Sequence, residues 1–473
     1  MIRGVTFLYL GVRLLLLLTV IVVVTIGYVV TSNSGLQQLL IQGQRWIPGV
    51  LEIERVEGTL LDELTLYGVD YQHQGLRINL ASVHLVWSPT ALLGGTLHIE
   101  ALDLLQPDIS LPPSDAEPVA DTPLFPISLP EVIFPIQVRL DQLSVQQFLL
   151  HQPPVRGEVL APLQIDTLML RGYTEHKTLM LDQLQVVAPQ GQVTLQGQLL
   201  PSAPFRIELQ TDWRVALPGH PALQGRGSIK GSLANLALEQ QLSGLMSAKV
   251  SAKLQSLLDN PQGSVRVEKL SADLGLVLPD LKGQLLRGDL SASGNLEAVE
   301  LRGQWQARLP EVGDSLVQAE LKLSRDRLQL QQLRVTQKAT GAELELTGTV
   351  DQLQQIPRVA LQGQWQNLGY PLQGDVLVRS SKGQVQVQGT LTDYQLLMDA
   401  ALSGPDIPAG QWHLQARGGE QGLSPFSLTG EALGGQLQPE GQVSSLPQVS
   451  WQLALNTQHL HPGVHWPEWP ASL

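Results

Sequence analysis

The sequence predicts a mainly β protein, in which an N-terminal transmembrane helix precedes an extended, curled antiparallel β-sheet that forms a hydrophobic groove. Three observations support this fold class: a recurring eight-residue pattern of apolar positions, one uninterrupted apolar run near the N-terminus, and glycines set inside alternating segments. Alternation with period two indicates a strand with one apolar face, whereas a run of ~20 apolar residues indicates a membrane span. Glycine inside strands fits sharp local curvature.

The eight-residue pattern is apolar, x, apolar, x, x, apolar, x, apolar. Each half alternates as a strand does, and the doubled x shifts the phase by one residue. A β-bulge or a bend at the doubled x would return the second half to the same face. Complete copies are Leu64-Leu66-Val69-Tyr71, Leu97-Ile99-Leu102-Leu104, Val138-Leu140-Leu143-Val145, Leu179-Leu181-Leu184-Val186 and Leu328-Leu330-Leu333-Val335, and partial copies are Leu51-Ile53-Val56 and Val265-Val267-Leu270-Ala272.

The uninterrupted apolar run spans residues 14–30, and no charge occurs between Arg13 and Arg45. Its length suits a spanning helix and exceeds the about 7–15 residues of a signal-peptide core. Because Arg3 and Arg13 precede the run and no basic residue follows it closely, the positive-inside rule places the N-terminus in the cytoplasm. Residues 1–32 are therefore predicted to be a cytoplasmic N-terminus with a single-pass anchor, in preference to a cleaved signal peptide.

Residues 33–49 are predicted to form an amphipathic helix that ends at Pro48-Gly49. Its apolar side chains fall near one helical face. This helix could cap the first strands, or it could lie on the outer surface of the membrane with Trp46 near the interface. The apolar side chains are Leu36, Leu39, Leu40 and Trp46.

Strand signals dominate from Val50 onward. Residues 50–111 form a first β block, which includes a short helical turn at residues 88–95 that is closed by glycine. Residues 112–126 are proline-rich and acidic, which is typical of a linker. Residues 127–473 are predicted to be a repeated β-groove. Within it, residues 233–258 are assigned to strands, although their Ala-rich and Leu-rich composition would also suit a helix.

Glycine recurs at fixed places in three alternating segments. This self-similarity indicates a repeat architecture, but the copies are unevenly spaced, unlike those of a short-period β-helix. The segments are Gly191-x-Val193-x-Leu195-x-Gly197, Gly341-x-x-Leu344-x-Leu346-x-Gly348 and Gly383-x-Val385-x-Val387-x-Gly389.

The composition excludes several classes of protein. The 473 residues carry a net charge of -13, which argues against nucleic-acid binding because a nucleic-acid binder would show basic patches. Charged residues make up only 15% of the chain, so glutamine supplies much of the polar surface. The absence of cysteine excludes a disulfide scaffold and any zinc site built on thiolates.

A long sheet with one apolar face must cover that face. It can close into a packed barrel, stack on a second sheet, or curl into a trough that holds something apolar. A filled core over several hundred residues would normally split into compact domains, so the uniform strand texture favours the trough, with lipid acyl chains as its contents. Alternation with period two indicates that one face of a strand is buried, but it does not indicate what covers that face. A filled sandwich core therefore stays an open alternative.

The predicted groove-lining residues are the apolar positions of the eight-residue pattern together with apolar positions of the glycine segments. They are Leu64, Leu66, Val69, Leu97, Ile99, Leu102, Leu104, Val138, Leu140, Leu143, Leu179, Leu181, Leu184, Val186, Val193, Leu195, Leu328, Leu330, Leu333, Val335, Leu344, Leu346, Val385 and Val387.

No catalytic signature is present: the sequence has no Walker loop, no nucleophile elbow and no HExxH motif. The nearest candidate for a metal site is the group His459, His461 and His465. It lies in a proline-rich stretch without a supporting carboxylate motif, so a fortuitous cluster is the preferred interpretation and no metal is predicted. Carboxylates at the doubled x, such as Asp141, Asp182 and Glu268, are interpreted as solvated bulge residues and not as acid/base pairs.

Two stretches carry family-like motifs. The first contains Trp46-x-Pro48-Gly49, Val56-x-Gly58-x-Leu60 and Val83-x-Leu85-x-Trp87-x-Pro89-x-x-Leu92-Leu93-x-Gly95, and the second is Leu460-x-Pro462-Gly463-x-x-Trp466-Pro467-x-Trp469-Pro470. Both resemble segments of the TamB family and, more broadly, of AsmA-like proteins. The likeness covers essentially the whole chain. The family's C-terminal domain has no counterpart here, so we expect the chain to be the N-terminal part of a longer protein.

The resemblance implies a protein of the Gram-negative inner membrane whose bulk lies in the periplasm and folds as a β-taco, a long twisted sheet with a hydrophobic interior. It implies phospholipid and an outer-membrane BamA-family barrel as partners, the latter engaged through the C-terminal region that is missing here. It implies a role in phospholipid movement and outer-membrane biogenesis, with no enzymatic activity and no cofactor.

Two other functions stay open at this point. The chain could be an assembly scaffold that templates strands of outer-membrane proteins or autotransporters by β-augmentation, without lipid transport. It could also be an anchored adhesin of solenoid type, although the short regular rungs of such a protein are not seen. An enzyme ranks last.

Overall fold

The structure, a computed structural model, describes residues 48–469 except 60, 62, 113–124, 154–160, 274, 276–282, 310–311, 373, 421 and 445–449. The predicted anchor, all but the last two residues of the predicted amphipathic helix and most of the predicted linker lie outside the described residues. Within the described part of the chain, no helix has the length and apolar character needed to cross a membrane. The described chain is mainly β, as the sequence predicts.

The chain divides into two units, Met1–Leu236 and Ala237–Leu473. This division does not coincide with the linker at residues 112–126, and the proposed separation of a first β block from a groove stays a prediction. The strands of unit 1 are β1 (Val50–Gly58), β2 (Glu63–His73), β3 (Leu76–Ser88), β4 (Thr96–Leu105), β5 (Asp108–Ser110), β6 (Gln137–His151), β7 (Leu163–Glu175), β8 (Thr178–Ala188), β9 (Gly191–Leu199), β10 (Arg206–Val215) and β11 (Leu223–Ser232).

Neighbouring strands of unit 1 pair antiparallel in chain order, as the sequence predicts, with one exception that the sequence did not indicate. Strand β6 pairs parallel with β4, and with β5, which continues the line of β4 beyond Pro107. Parallel neighbours require a connection that returns along the sheet. Residues 111–136 connect β5 to β6, and the predicted linker lies within this connection. Its described part, residues 125–136, contains no strand, and the predicted β-rich region therefore starts at Gln137 and not at Ile127.

Unit 2 continues the alternation of strands and short turns. From β13 to β26 each strand pairs antiparallel with the next. The strands are β12 (Asn235–Gly244, which starts at the unit boundary), β13 (Met246–Gln255), β14 (Gln262–Asp273), β15 (Leu285–Asn295), β16 (Ala298–Leu309), β17 (Gly313–Ser324), β18 (Arg327–Gln337), β19 (Glu343–Asp351), β20 (Arg358–Tyr370), β21 (Val378–Thr390), β22 (Asp393–Ser403), β23 (Gly410–Gly419), β24 (Gly422–Ala432), β25 (Gly435–Ser444) and β26 (Ser450–Gln458).

Two local predictions are confirmed. The helical turn after Trp87 is a 3-10 helix, Pro89–Gly94, which ends where Gly95 adopts a left-handed conformation with φ of 77°. The ambiguous stretch at residues 233–258 consists of β12 and β13 and not of a helix. Its alternation Val250-Ala252-Leu254 therefore outweighs its helix-favouring composition.

The doubled x of the eight-residue pattern is a site of β-bulges, as predicted, in four of the five complete copies, those in β4, β6, β8 and β18. In β2 the register with both neighbours continues without a shift. In β8, Asp182 and Gln183 together oppose one residue of β9, since Leu181 pairs with Gly197 and Leu184 with Leu195. In β18, Leu330 pairs with Gly348 and Leu333 with Leu346, which leaves two residues opposite one again. Because a bulge adds one residue to one strand, both halves of each bulged copy keep their apolar side chains on the same face.

The inner glycines of the three glycine segments share one backbone conformation. Gly197, Gly348 and Gly389 have φ of 140°, 146° and 140°. A Cβ atom on Gly348 would lie 2.1 Å from the carbonyl oxygen of Ala360 on the next strand, and one on Gly197 would lie 2.0 Å from that of Glu208. The recurrence of glycine in the sequence therefore has a steric cause, because only glycine adopts this conformation at such close strand approach.

Candidate functional site

In unit 1 the predicted lining residues lie in rows that cross the strands. One row contains leucine on seven strands, and a second row of valine and leucine runs beside it. Directly paired residues share a face of the sheet, so these rows place the apolar halves of successive patterns side by side. The first row is Leu64, Leu85, Leu102, Leu143, Leu170, Leu184 and Leu195, and the second is Leu66, Val83, Leu104, Val145, Leu168, Val186 and Val193.

The other predicted residues of unit 1 join the same face. Ile99 pairs with Leu140 and Leu97 with Val138. Leu181 pairs with Gly172 on one neighbouring strand and with Gly197 on the other. Because neither glycine has a side chain, Leu181 packs close to both strands and is only 6% exposed. Sequence reasoning named both members of the pairs Ile99–Leu140 and Leu97–Val138. It missed Val83 and Leu85 in β3 and Leu168 and Leu170 in β7, although Ile78-Leu80-Val83-Leu85 and Leu163-Ile165-Leu168-Leu170 also fit the eight-residue pattern.

Unit 2 has corresponding rows on its own apolar face. Leu333 and Leu346 pair directly, and so do Val335 and Leu344. Leu328 pairs with Val350. Further along, Val385 and Val387 pair with β22 and extend two of the rows. One row is Ala319, Leu333, Leu346, Gly363, Val385, Met398, Leu414 and Leu428, and another is Leu321, Leu330, Gly348, Leu361, Val387 and Leu396.

The side chains in these rows are covered only in part. Of the 24 predicted lining residues, Leu64, Val69 and Leu181 are buried and the others are half-buried. Among the described residues, Ser315 is the only side chain with less than 2% exposure. A filled sandwich core would contain fully buried leucine, valine and phenylalanine at crystal-like packing density. The rows therefore touch their lateral neighbours, while the described residues leave the top of the apolar face open.

Tryptophan over glycine is a recurrent feature of the apolar face that the sequence analysis missed. Trp365 pairs with Gly383, and a Cβ atom on that glycine would lie 2.2 Å from Cζ2 of the indole. Trp412 stands in the same relation to Gly430, with a corresponding distance of 2.5 Å. Each indole thus occupies the space of the missing side chain, an arrangement known to stabilise strand glycines. Trp213 covers Gly225 in unit 1 in the same way.

Trp365 and Trp412 belong to one row of unit 2, together with a third tryptophan, Trp305. The signal in the sequence was the repeated Gly-Gln-Trp-Gln at residues 303–306 and 363–366, but the pairing that sets each indole on a glycine is a tertiary feature. Trp365 also donates from Nε1 to Oγ of Ser380 at 2.8 Å. The row is Gly288, Trp305, Val317, Val335, Leu344, Trp365, Gly383, Ala400, Trp412 and Gly430.

The opposite face of the sheet is polar, and its side chains are linked across strands. Gln332 and Gln364 donate to the carboxylate of Glu345 at 2.7 and 3.1 Å. Gln384 donates to Asp399 at 2.9 Å, and the ring of His413 lies 2.6 Å from the same carboxylate. These hydrogen bonds lower the pKa of Glu345 and of Asp399, with Gln332 and His413 as the respective main causes. The carboxylates of this face therefore stay ionised near neutral pH, and the face stays hydrated.

The bulge carboxylate Asp141 has structural partners. Its two oxygens lie 2.7 Å from Nε2 of His98 and 2.9 Å from Nε of Arg139. The hydrogen bond with His98, followed by that from Arg139, lowers the pKa of Asp141. A carboxylate held ionised in this way is a poor proton donor at neutral pH, which agrees with its interpretation as a solvated bulge residue.

The histidines near the C-terminus do not form a metal-binding group within the described residues. The ring of His465 lies 3.0 Å from the carbonyl oxygen of Pro405 and packs edge-on against Trp466. Leu460, between His459 and His461, is buried at 4% exposure. This segment therefore packs on unit 2 through apolar contacts.

Comparison with known families adds one match and one absence. The family model described as TamB, N-terminal domain, matches residues 21–130, 113–357 and 340–473. These ranges cover most of the chain, including the apolar rows of both units. No solved structure matches the chain.

Proposed function

The chain belongs to the TamB N-terminal domain family, and from this premise we propose that it is a periplasmic groove protein held in the inner membrane by one N-terminal helix. Its task is to move phospholipid toward the outer membrane. It acts together with an outer-membrane BamA-family barrel and so supports outer-membrane biogenesis. It does this as a conduit, without a catalytic step or a cofactor.

The observation that carries the proposal is the uncovered apolar face in each unit. Rows such as the one from Leu64 to Leu195 expose aliphatic side chains in part to solvent, which is unfavourable unless something apolar occupies the face. Acyl chains are a fitting occupant because each buried CH₂ contributes ~0.8 kcal/mol. The polar reverse face, with its linked glutamines and carboxylates, is unsuited to lipid contact.

The rows also suit movement along the sheet. A row of leucine repeats every strand spacing of about 4.8 Å, so an acyl chain displaced by one strand meets nearly the same surface. Binding energy then varies little from strand to strand. A face without a deep minimum favours passage over storage.

The proposal is tested by photocrosslinking in living cells with matched adjacent positions. A photoreactive residue at Leu330 should crosslink phospholipid, whereas one at Gln329, its neighbour on the polar face, should not. In unit 1 the matched pair is Leu184 and Gln185. Mass spectrometry of the detergent-purified chain should then find phospholipid bound. Crosslinks to lipid from Gln329 and Gln185 alone would contradict the conduit.

A second candidate function rests on strand β26. Among the described residues it pairs with β25 only, and all nine of its residues are exposed. Trp451 and Leu455 are 66% and 59% exposed. An exposed strand with alternating apolar side chains can template a further strand, as an assembly scaffold for outer-membrane proteins would. Crosslinks from Trp451 to client proteins, combined with an apolar face that yields no lipid crosslinks, would favour this scaffold.

A further inference from the structure

One end of the strands in unit 1 carries strongly exposed aliphatic side chains outside the apolar rows. Leu93, in the 3-10 helix Pro89–Gly94, is 92% exposed, the highest value among the large apolar residues that the structure describes. Its neighbour Leu92 is 40% exposed. Neither side chain is needed to cover the sheet, so their exposure calls for another explanation.

A second segment brings more aliphatic side chains to the same place. Val132, Ile133 and Ile136 are 49%, 70% and 40% exposed. The amide of Gln137 donates to the carbonyl oxygen of Gly95 at 3.1 Å, which joins the end of this segment to the end of the 3-10 helix. The amide of Val132 donates to Pro201 at 3.0 Å, so the segment runs along the ends of the strands from β9 to β4. We call Leu92, Leu93, Val132, Ile133 and Ile136 the apolar rim.

The backbone around the apolar rim is open, and its own residues are uncharged. A Cβ atom added to Gly94 or Gly95 would meet no atom within 4 Å. The 3-10 helix carries no charge in its first or last turn. Lys177 and Arg206 lie at the same end of the strands, and so do Glu63, Glu100, Glu131 and Glu175. These side chains form no cationic patch, so attraction to anionic headgroups does not hold a partner here and apolar contact must do so.

The sequence places a bilayer within reach of this rim. The predicted membrane span ends at residue 30, and residues 31–49 connect it to β1. Residues 31 and 32 together with the predicted helix at residues 33–49 reach about 32 Å. The 3-10 helix follows the far end of β3, a strand of 13 residues, and so lies about 45 Å along the sheet from the start of β1. The rim therefore touches the membrane that holds the anchor when the strands are inclined to the membrane plane by less than about 45°.

We propose that the apolar rim of unit 1 inserts into the acyl boundary of the bilayer in which the chain is anchored. Leucine, isoleucine and valine side chains at the membrane interface gain free energy by entering the boundary between headgroups and acyl chains, while their backbone stays at headgroup level. The rim thereby holds the first strands of the apolar face against the membrane surface. This inference rests on the anchoring part of the proposed function and does not require lipid transport.

The chain contains no cysteine, so a single introduced cysteine can be labelled uniquely. The full-length chain, carrying Leu93→Cys or Ile133→Cys with an environment-sensitive fluorophore, is reconstituted in vesicles of neutral phosphatidylcholine that contain a doxyl-labelled quencher lipid. The matched control is Leu391→Cys, an isolated leucine of unit 2 that is 72% exposed. Emission at positions 93 and 133 should shift to the blue and be quenched at least twofold more than at position 391. Neutral vesicles suffice because the rim binds by apolar contact and not through cationic side chains.

Equal quenching at the three positions, or none at 93 and 133, would overturn the insertion of the rim. Adding Leu93→Asp to the Ile133→Cys chain should withdraw the label from the bilayer, and unchanged quenching would equally contradict the inference. Flotation of the vesicles separates this result from the proposed anchor. If the chain does not float with the vesicles, anchoring itself fails, whereas a chain that floats with unquenched labels refutes the rim alone. All of these positions are exposed, and far-UV circular dichroism confirms that each variant keeps its strands.

Discussion

The apolar faces of the two units are covered by leucine and tryptophan in different proportions. In unit 1 one row consists of leucine on seven strands, from Leu64 to Leu195, and the side chains cover one another laterally. In unit 2 the row from Gly288 to Gly430 contains three tryptophans, each paired with a glycine on one neighbouring strand, and aliphatic residues between the first two. An indole that occupies the space over a glycine covers two strands with one side chain. A row of leucine covers the same width with many equivalent groups, so it depends less on any one of them.

The two units nevertheless share the backbone features that keep the apolar side chains on one face of the sheet. Bulges at the doubled x occur in β8 and in β18. The inner glycines of both units have the same backbone conformation. Bulges and close strand approach at glycine are therefore common to both units, whereas the proportion of tryptophan to leucine differs between their rows. Substitutions can test the shared backbone features and the side chains of each row separately.

The largest effect should come from the shared glycines, and it should be equal in the two units. Gly348→Ala and Gly197→Ala each force a Cβ atom into a left-handed backbone position, 2.1 and 2.0 Å from a carbonyl oxygen. We expect each to lower the free energy of unfolding by about 2–4 kcal/mol. Denaturant titration followed by circular dichroism measures this. Gly94→Ala is the neutral control, because its new Cβ atom meets no atom within 4 Å. If Gly348→Ala or Gly197→Ala unfolds at the same denaturant concentration as this control, the steric requirement for glycine at these positions is disproved.

A smaller effect, confined to unit 2, should follow from Gly383→Ala. The new methyl group would occupy the position of the Trp365 indole, 2.2 Å from Cζ2, and displace it from Ser380. Overpacking of this kind costs about 1–3 kcal/mol. Combining it with Trp365→Leu removes the clash, so the double variant should be more stable than the sum of the two single effects predicts. Strict additivity would show that the indole does not depend on the glycine.

Two tryptophans of the same row should differ by about 1 kcal/mol. Trp365 donates to Ser380, whereas Nε1 of Trp412 is buried without a hydrogen-bond partner among the described residues. Replacing Trp365 by phenylalanine loses a hydrogen bond, and the same change at Trp412 removes an unsatisfied donor. Unfolding free energies of Trp365→Phe and Trp412→Phe provide the comparison. The hydrogen-bond argument fails if Trp412→Phe is the more destabilised variant.

The smallest effect concerns the polar face, where both units should respond alike to acid. The pKa of Glu345 in unit 2 and that of Asp141 in unit 1 are lowered from 4.5 and 3.8 by their hydrogen bonds. A lowered pKa contributes stability that is present above the ordinary value and is lost as pH falls through the folded-state value. Stability should therefore be insensitive to these groups between pH 7 and 5 and decline below about pH 4. Because both groups are partly exposed, each contributes less than about 1 kcal/mol.

Substitution to the isosteric amide tests this pH dependence. Glu345→Gln and Asp141→Asn should each flatten the fall of the unfolding midpoint between pH 4 and 3. The control is Asp103→Asn, at a half-buried carboxylate on the polar side of β4 for which the described residues give no hydrogen-bonded partner. A variant that steepens the decline would reverse the assigned sign.

Much of the sheet could be predicted because its signals are local. The alternation around Leu181 and the doubled x after it predicted both a strand and its bulge, since a strand repeats every two residues and a bulge adds one. The parallel pairing of β4 with β6 was missed, because nothing in two strand sequences states which way a connection between them returns. The indoles over glycine were missed for a similar reason: Trp365 and Gly383 are 18 residues apart and become neighbours only through register.

The sequence by itself determined which residues are strands, which side of each strand is apolar and where glycine is required, because alternation, phase and backbone conformation are properties of a few consecutive residues. Only the tertiary structure decided which of those residues become neighbours: the leucine row from Leu64 to Leu195, the indole of Trp365 over Gly383, and the apolar rim around Leu93. Register and crossover direction follow from the balance of all pairings at once. For the same reason the partial exposure of the apolar face emerged only when the strands were assembled.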